Sequence, residues 1–433
     1  MVAGFAIVLA VLMAAPASAA GPGDRDDSFD YDGRVLADVF GGDNDEGHDV
    51  AVQRDGRIVV VGSRGGGAVR QNFALMRFNS NGSVDTSFAS GGRTLTDFDG
   101  DDDVARAVAI QPDGKIVVGG SARFGTRASD FAIARYDTNG KLDPTFAGNG
   151  KAATDFGGRD GITDLAIQSD GKIVTVGYTD YGSDTCQADF AVARWNTNGT
   201  LDKSFSVDGK QRTGMGCGEF ANAVAIQPDG KIVVVGERWE DDGDRCFACN
   251  EMDLAIARYN ANGSHDSTFD GDGKKTEGLG GVTEYFSAVA ILSSGKILVA
   301  GTSDARDREF FLERLHSNGA LDTSFFLEGR KWADMGGRDD GLDMVVQPDG
   351  KIVVAGASYR FDKQAYDFAV LRLRSDGTND TTFSSDGVVT TPFGKSQVAR
   401  AVALQPDGKI VLAGTMLGDG EADAEFAVAR YLA

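Results

Sequence analysis

The sequence is poor in histidine, which limits the catalytic and metal sites it can form. It is also poor in proline, which argues against a disordered Pro-rich chain. Its 433 residues include only three His and eight Pro. Because His is the usual general base and a frequent metal ligand, few His-based catalytic or metal sites are possible. Fifty-nine Gly against eight Pro predict many tight turns rather than a disordered Pro-rich chain. Neither a P-loop nor a dinucleotide-binding fingerprint is present.

Positive charge is also in deficit, with 43 Lys and Arg against 65 Asp and Glu, a net charge of −22. Nucleic acids and anionic membranes require a basic face, so neither is an expected partner. After the N-terminus no apolar run is long enough to cross a membrane, and membrane insertion is not expected. The acidity is that of a solvated surface and fits a soluble extracellular protein, which we expect to be a monomer.

Residues 1–20 are predicted to be a signal peptide, which leaves 21–433 as a single domain. Residues 2–15 are apolar or small, and Ala17-Ser18-Ala19 resembles a cleavage site, so we expect secretion and cleavage after Ala19 or Ala20. No Lys or Arg precedes the apolar segment, which leaves the true start codon open. No Cys lies near the cleavage site, so a lipid anchor is not expected.

Seven copies of one repeat dominate the sequence, spaced 55 to 65 residues apart. Each contains a turn like Gln111–Lys115 (Gln-Pro-Asp-Gly-Lys), then a segment like Phe131–Tyr136. An Asn-Gly turn and a Leu-Asp-x-x-Phe motif, as at Leu142–Phe146, follow. The glycines of the first turn are Gly56, Gly114, Gly171, Gly230, Gly295, Gly350 and Gly408.

Each repeat predicts two hairpins and therefore four strands, without helical periodicity. The second strand, such as Ile232–Val235, is continuously apolar, as expected for a strand buried on both faces. The first strand carries small residues such as Ala107 and Ala109, which fits the crowded position nearest a central axis. Four-stranded sheets repeated around a channel form a β-propeller.

The two ends of the chain predict a closed ring. The chain finishes on the third strand of repeat seven, at Ala427–Tyr431, without a fourth strand. Asp26–Phe29 followed by Gly33-Arg34-Val35 matches the missing piece, as seen in Asp85–Phe88 followed by Gly92-Arg93-Thr94. We therefore predict an all-β fold, a seven-bladed β-propeller of four-stranded antiparallel blades, closed by an N-terminal strand that joins the C-terminal blade.

These motifs (QPDGKIVVVG, FAxARYNxNGxLDxxF and GGK) resemble the delta-60 repeat of bacterial secreted and surface proteins. The resemblance covers essentially all of the chain after residue 20. It implies a β-propeller and carries no assigned catalytic residues. The repeat is also distantly similar to NHL-type propellers, some of which bind partners and a few of which are enzymes.

An Arg and an Asp eight positions apart recur on either side of the second turn, where they would face each other across a hairpin. Since every blade has the pair, we interpret it as framework rather than active site. The pairs are Arg77 with Asp85, Arg135 with Asp143, Arg194 with Asp202, Arg258 with Asp266, Arg314 with Asp322, Arg372 with Asp380, and Arg430 with Asp26.

An acid also recurs at the start of the innermost strand, replaced by Gln397 in repeat seven. Two interpretations are open: a ring of carboxylates that holds Ca²⁺ near the channel mouth, or carboxylates that cap backbone N–H groups. The acids are Asp45, Asp103, Asp160, Glu219, Glu284 and Asp339. No cofactor other than this possible Ca²⁺ is predicted.

Four cysteines in an exported protein favour disulfides. Cys186 and Cys217 lie in loops expected on one face of adjacent blades, so we pair them, and Cys246 then pairs with Cys249. A zinc site is the alternative, although no His lies nearby to complete it.

The loop between the second and third strands is longest in repeat four. Loops that depart from a uniform scaffold are candidate binding sites, and aromatic residues among acids suit a carbohydrate, peptide or cationic partner. Ordinary loop variation is the alternative. The candidate residues on this face are Trp239, Asp241, Asp242, Asp244, Tyr178, Tyr181 and Tyr359. His265 and His316 lie on the face opposite His48, so the three histidines do not converge.

Three hypotheses for the function follow. The first is a secreted, non-enzymatic binding or scaffold propeller that binds an extracellular protein, peptide or carbohydrate on the long-loop face of repeats three and four. The second is a cation-dependent lyase or hydrolase that uses the acidic ring, and the third is a structural module of the cell envelope. Propellers serve all three roles, so the fold does not choose among them.

Overall fold

The computed structural model describes residues 20–39, 41, 44–66, 69–125, 128–182, 187–239, 251–280, 283–418 and 424–433. Within them the chain forms 28 strands in seven antiparallel four-stranded sheets, so the predicted seven-bladed propeller is confirmed. No helix in this part of the chain is long and apolar enough to span a membrane.

The strands are given in order from the channel outward, from blade 1 to blade 7. The innermost strands are β2 (Asp45–Val52), β6 (Asp103–Ile110), β10 (Arg159–Ile167), β14 (Cys217–Ile226), β18 (Glu284–Ile291), β22 (Asp339–Val346) and β26 (Gln397–Leu404). The second strands are β3 (Ile58–Gly66), β7 (Ile116–Arg123), β11 (Ile173–Asp180), β15 (Ile232–Trp239), β19 (Ile297–Ser303), β23 (Ile352–Arg360) and β27 (Ile410–Met416). The third strands are β4 (Val69–Phe78), β8 (Ser129–Tyr136), β12 (Ala188–Trp195), β16 (Met252–Tyr259), β20 (Glu309–Leu315), β24 (Ala365–Leu373) and β28 (Glu425–Tyr431). The outermost strands are β5 (Arg93–Thr96), β9 (Lys151–Thr154), β13 (Lys210–Thr213), β17 (Lys274–Glu277), β21 (Arg330–Ala333), β25 (Val388–Thr391) and, completing blade 7, β1 (Arg34–Ala37).

The ring closes through the N-terminal strand, as predicted. β1 pairs antiparallel with β28, and Arg34 lies opposite Ala429. A further bridge joins Arg25 to Tyr431. The strand order of blade 7 is therefore β1-β28-β27-β26, and β26 contacts β2 to complete the circle.

The continuous apolar run of each second strand is explained by packing between blades. In β7, Ile116 and Val118 pack in a layer shared with blade 1, whereas Val117 packs in the layer shared with blade 3. All three side chains are fully buried. A strand that is buried on both faces is continuously apolar, whereas a strand with one face in water alternates apolar and polar side chains.

The recurring Arg–Asp pair is an ion pair in every blade. In blade 2 the Nε of Arg135 donates to Asp143 at 2.9 Å, and its guanidinium lies 4.8 Å from the centre of the Phe146 ring. The Nη1 of Arg135 also donates to the Thr197 carbonyl of the next blade at 2.5 Å. The shortest distances in the seven pairs lie between 2.6 and 2.9 Å, which confirms the pairing across the hairpin that the sequence predicted.

Candidate functional site

A β-bulge interrupts every innermost strand at the same height. In β6 the register shifts between Ala105 and Ala107, so that Arg106 has no partner in β7. A bulge redirects a side chain, and bulges are frequent beside active sites. The seven bulged residues are His48, Arg106, Thr163, Asn222, Ser287, Leu342 and Arg400.

A glycine in the second strand accommodates each bulge. A Cβ added at Gly120 would lie 1.9 Å from the carbonyl oxygen of Val104, so no larger residue fits. The same contact recurs at Gly62, Gly120, Gly177, Gly236, Gly301, Gly356 and Gly414. A Gly repeated inside an apolar strand is a sequence signal of a bulge. This signal would have located the bulges and, with them, the residues that line the channel.

The bulged residues together line the central channel. The upper cavity has a volume of about 390 Å³ and also includes Glu237, Met252 and Tyr285. A lower cavity of about 160 Å³ shares the ring and continues downward to Asp49, Asp164 and Asp343. Glu237 lies near the end of β15 and Met252 begins β16, so both residues lie beside the loop that connects these two strands. The upper cavity therefore lies toward the face of the long loops, which the sequence predicted to be the binding face.

Three adjacent blades place Arg400, His48 and Arg106 side by side on one wall, which we call the basic arc. The His48 side chain is 7% exposed, and its Nε2 lies 3.7 Å from Glu46. Burial, followed by the charges of the two arginines, holds the pKa of His48 well below its usual value, so the imidazole is neutral. Arg106 has no hydrogen bond or salt bridge to any described residue, and the buried Nε of Arg400 also lacks a hydrogen bond.

The wall opposite the basic arc is polar. The Asn222 amide donates to Glu237 and, at 2.9 Å, to the Phe286 carbonyl. Burial raises the pKa of Glu237 to about 7, although the hydrogen bond from Asn222 opposes this. The Tyr285 hydroxyl donates to Asp340 at 3.1 Å.

Three partly buried aspartates line the lower part of the channel. Asp49 accepts the Val50 N–H at 2.7 Å and, from the next blade, the Val108 N–H at 2.6 Å, so its carboxylate joins two blades. Asp164 and Asp343 do the same at their own blade junctions. Burial raises the pKa of Asp164 to about 6 and that of Asp343 to about 7. Burial, together with the charges of Asp343 and Asp164, also raises the pKa of Asp49 well above its usual value.

The six acids that begin the innermost strands cap their own loops, as one of the two interpretations proposed. Asp103, for example, accepts the Phe98 N–H at 2.7 Å. All six side chains are buried, and burial raises the pKa of Asp45 to about 6 and those of Asp103 and Glu219 to about 7. The other five acids accept equivalent hydrogen bonds, and the donors are the backbone N–H groups of Val39, Phe156, Met215, Leu279 and Met335. In the described residues no three of the six carboxylates converge, so they do not form one cation site around the channel mouth.

The three tyrosines predicted to bind a ligand on the long-loop face each contact a different neighbour. Tyr178 packs against Phe220 at 5.2 Å, and Tyr359 packs against Phe361 at 5.3 Å. Tyr181 is 38% exposed and donates its hydroxyl proton to the Phe156 carbonyl at 2.7 Å.

Trp239 lies opposite Met252 of the upper cavity, and its indole nitrogen is buried rather than presented to solvent. Asp241, Asp242 and Asp244 lie outside the described residues, so their contribution to binding stays a prediction.

Cys217 is buried and lies opposite Trp239 in the β14–β15 pairing. Cys186, Cys246 and Cys249 lie outside the described residues, so the predicted pairs, Cys186–Cys217 and Cys246–Cys249, stay predictions.

Of the histidines, only His48 lines the channel. His265 lies within 3.0 Å of the Thr213 hydroxyl at the outer strands, and His316 lies 3.8 Å from Asp322.

Solved structures similar to this chain include proteins with different activities. The polysaccharide lyase Uly1 is 13% identical, with 89% of each chain covered and a TM-score of 0.51. A protein of unknown function from Dyadobacter fermentans DSM 18053 is 13% identical, with 92% of this chain and 99% of that chain covered and a TM-score of 0.48. A glucose dehydrogenase is 11% identical over 75% of this chain and 95% of its own, with a TM-score of 0.43. These likenesses concern the fold alone.

No curated protein matches the chain. A family profile described as "Domain of unknown function (DUF5122) beta-propeller" matches residues 53–88, 111–146, 168–205, 227–248, 250–269, 292–325, 347–383 and 405–433. The match covers more than half of the sequence and falls on all seven repeats, and the chain therefore belongs to the DUF5122 β-propeller family.

Proposed function

We propose that the protein binds a small acidic sugar in the upper cavity, with the ligand carboxylate on the basic arc. The observation that carries the proposal is the convergence of Arg400, His48 and Arg106 at consecutive bulges. The cavity of about 390 Å³ lies in the size range of small-molecule sites. The ligand would enter from the long-loop face.

The electrostatics of the basic arc favour an anion. Burial lowers the pKa of Arg400, the charge of Arg106 lowers it further, and Glu46 opposes both effects. Two neighbouring guanidinium groups in a partly buried channel repel each other, and a bound carboxylate would remove that cost. Arg also suits bidentate recognition of carboxylates. This concentration of positive charge stands out in a chain with a net charge of −22.

The opposite wall favours a ligand rich in hydroxyl groups. The Thr163 hydroxyl donates to the Ala221 carbonyl at 2.6 Å, and the Ser287 hydroxyl donates to the Gly341 carbonyl at 2.6 Å. With their protons committed to neighbouring blades, both oxygens are left as acceptors. Glu237 adds carboxylate oxygens on the same side. Acceptors opposite a carboxylate-binding arc match a sugar acid, whose hydroxyls donate.

The test is calorimetric titration with glucuronate and galacturonate oligosaccharides and with the matching neutral oligosaccharides. We expect the acidic ligands to bind and Arg106→Gln to weaken binding at least tenfold, since a charged hydrogen bond contributes about 1.5–3 kcal/mol. Arg123→Gln is the control, because this arginine of the same blade lies on the half-exposed end of β7. Equal binding by neutral and acidic ligands, or by the two variants, would contradict the proposal.

Elimination chemistry on the same ligand is the second candidate. His48 is neutral and so available as a proton acceptor, and it lies between two arginines able to neutralise a carboxylate. Ultraviolet absorbance of an unsaturated uronate product, abolished in His48→Ala, would favour catalysis. Binding without that product would favour the non-enzymatic role.

A further inference from the structure

The hairpin of blade 6 that joins β23 to β24 carries an exposed aromatic side chain at its tip. The two strands stay paired up to Arg360 and Ala365, and Lys363 donates its N–H to the Arg360 carbonyl at 3.1 Å. Gln364 has a φ of 53°, so the tip is a tight turn. Phe361 lies in this turn and is 64% exposed. The turn therefore holds a phenylalanine ring in water.

Phe361 belongs to a group of apolar side chains on the long-loop face. Its ring lies 5.3 Å from that of Tyr359, which in turn lies 5.0 Å from that of Tyr366. Both tyrosines are partly exposed. The Tyr366 N–H donates to the Ser396 hydroxyl at 3.1 Å, and the Ser396 carbonyl accepts the N–H of Leu417, which is 44% exposed. We call Tyr359, Phe361, Tyr366 and Leu417 the apolar rim.

The apolar rim leads to the basic arc. Ser396 immediately precedes β26, and the bulged Arg400 lies four residues further along the chain. At about 3.3 Å per residue, Ser396 and Arg400 are about 13 Å apart. Tyr285 of the upper cavity donates to Asp340 of blade 6, the blade that carries three of the four rim side chains. A ligand in the upper cavity would reach the rim by extending over blades 6 and 7.

The size of the apolar rim suits a chain of sugar rings better than a protein. Its four side chains are partly covered and together expose roughly 400 Å² or less, since a whole aromatic side chain has about 150–250 Å². A stable protein interface buries about 800 Å² on each partner. A sugar ring is smaller, and it packs its C–H groups on an aromatic ring while its hydroxyls stay in water. Small exposed apolar patches of this kind are frequent at ligand sites.

The charges beside the apolar rim favour an acidic chain. Arg338 and Lys363 are exposed and make no ion pair with a described residue, whereas Arg360 is paired with two aspartates of its own hairpin. Arg338 lies next to the rim, because its carbonyl accepts the Tyr359 N–H at 2.9 Å. In contrast, residues 239–251, which include the loop of blade 4, contain five acids and one arginine. An acidic chain that starts on the basic arc is therefore favoured over blades 6 and 7 and disfavoured over blade 4.

We propose that the apolar rim binds the sugar rings that follow the first acidic unit, so that the ligand is an acidic oligosaccharide chain. This inference rests on the proposed function, because the basic arc holds the first carboxylate. The chain leaves the upper cavity beside Arg400, packs on Tyr366 and Phe361, and places its later carboxylates near Arg338 and Lys363. The cavity thereby selects an acidic unit, and the rim makes the affinity depend on chain length.

The test is calorimetric titration of the full chain with a disaccharide and a hexasaccharide of glucuronate or galacturonate. We expect the hexasaccharide to bind at least tenfold more tightly. Phe361→Ala should remove most of this difference and leave disaccharide binding unchanged, because Phe361 lies outside the cavity. Lys363→Gln should weaken hexasaccharide binding alone, at least threefold. Tyr31→Ala is the matched control and should leave both affinities unchanged, since Tyr31 is 94% exposed but precedes β1 on the opposite face.

The outcomes separate this inference from the proposed function. Equal affinity of the wild-type protein for the two lengths would overturn the inference and leave the proposed function standing. An undiminished length effect in Phe361→Ala, or equal weakening of both lengths, would do the same. No binding of either length would overturn both. Light scattering tests another occupant: a dimer that Phe361→Ala converts to a monomer would make the rim a contact between two copies of the chain and overturn the inference.

Discussion

The guanidinium of Arg430 and the carboxylate of Asp26 lie 2.7 Å apart, although the two residues come from opposite ends of the chain. Arg430 also lies 4.7 Å from the centre of the Phe29 ring, and its equivalents in the other six blades lie 4.4 to 4.9 Å from the equivalent Phe rings. Both residues of the pair are buried. Closure of the ring therefore repeats an interaction that every other blade makes within itself.

Arg430→Met should destabilise the protein by about 3–5 kcal/mol, since it removes the buried one of the two cations that pair with the buried Asp26 carboxylate. Lys409→Met removes the second cation from the same carboxylate, at 3.1 Å, but this lysine is partly exposed, so we expect a loss of about 1 kcal/mol or less. Urea unfolding of both variants measures the difference. Equal losses would mean that Arg430 has no special role in closure.

Gly120→Ala and Gly119→Ala test the bulge with neighbouring glycines. The added methyl at 120 meets the Val104 carbonyl oxygen, a backbone atom, so we expect a loss of about 3 kcal/mol or more. At 119 it meets the side-chain end of Leu165 at 3.0 Å, and the other six blades carry Val or Ala there. We expect Gly119→Ala to change the unfolding free energy by about 1 kcal/mol or less. Similar stability of both variants would show that the bulge adapts.

Asp103 should make stability fall as the pH rises. Burial raises its pKa from 3.8 to about 7, so the folded state holds the proton more tightly than the unfolded state does. Its contribution to stability is present below about pH 4 and is lost as the pH rises through about 7. Asp103→Asn removes this loss, so the melting temperature of the variant relative to wild type should be higher at pH 8 than at pH 5.

Asp143→Asn is the control for this titration. Burial raises the pKa of Asp143, but the hydrogen bonds from Thr145 and the charges of Arg135 and Lys115 outweigh it and lower the pKa to about 2. The stability it contributes is present above about pH 4 and is lost as the pH falls through 2. Its difference from wild type should therefore stay constant between pH 5 and 8. A parallel trend in both variants would assign the effect to another group.

The disulfide pairs are testable by mass spectrometry of peptides prepared without reduction. We expect one cross-linked peptide containing Cys186 and Cys217, and an internal bond between Cys246 and Cys249. Alkylation of all four thiols in the unreduced, unfolded protein would contradict both pairs. A peptide joining Cys217 to Cys246 or Cys249 would contradict the assignment.

The repeat by itself determined the number of blades, the strands in each and the closure. All three depend on local features of the sequence. Examples are the turn glycine Gly114 and the pairing of Arg135 with Asp143 across a single hairpin. The apolar run at Ile116–Val118 already implied burial on both faces. Because each weak signal recurs in seven repeats, the architecture could be predicted in detail.

Only the tertiary structure decided which side chains share a site. Arg106 and Arg400 are far apart in the sequence and become neighbours of His48 because blades 7, 1 and 2 are adjacent in the closed ring. The buried indole nitrogen of Trp239 likewise depends on its neighbours rather than on its residue type. Strand formation and turns are local, whereas the direction of a bulged side chain and the burial of a loop residue depend on the packing of neighbouring blades. That packing exists only once the ring has closed.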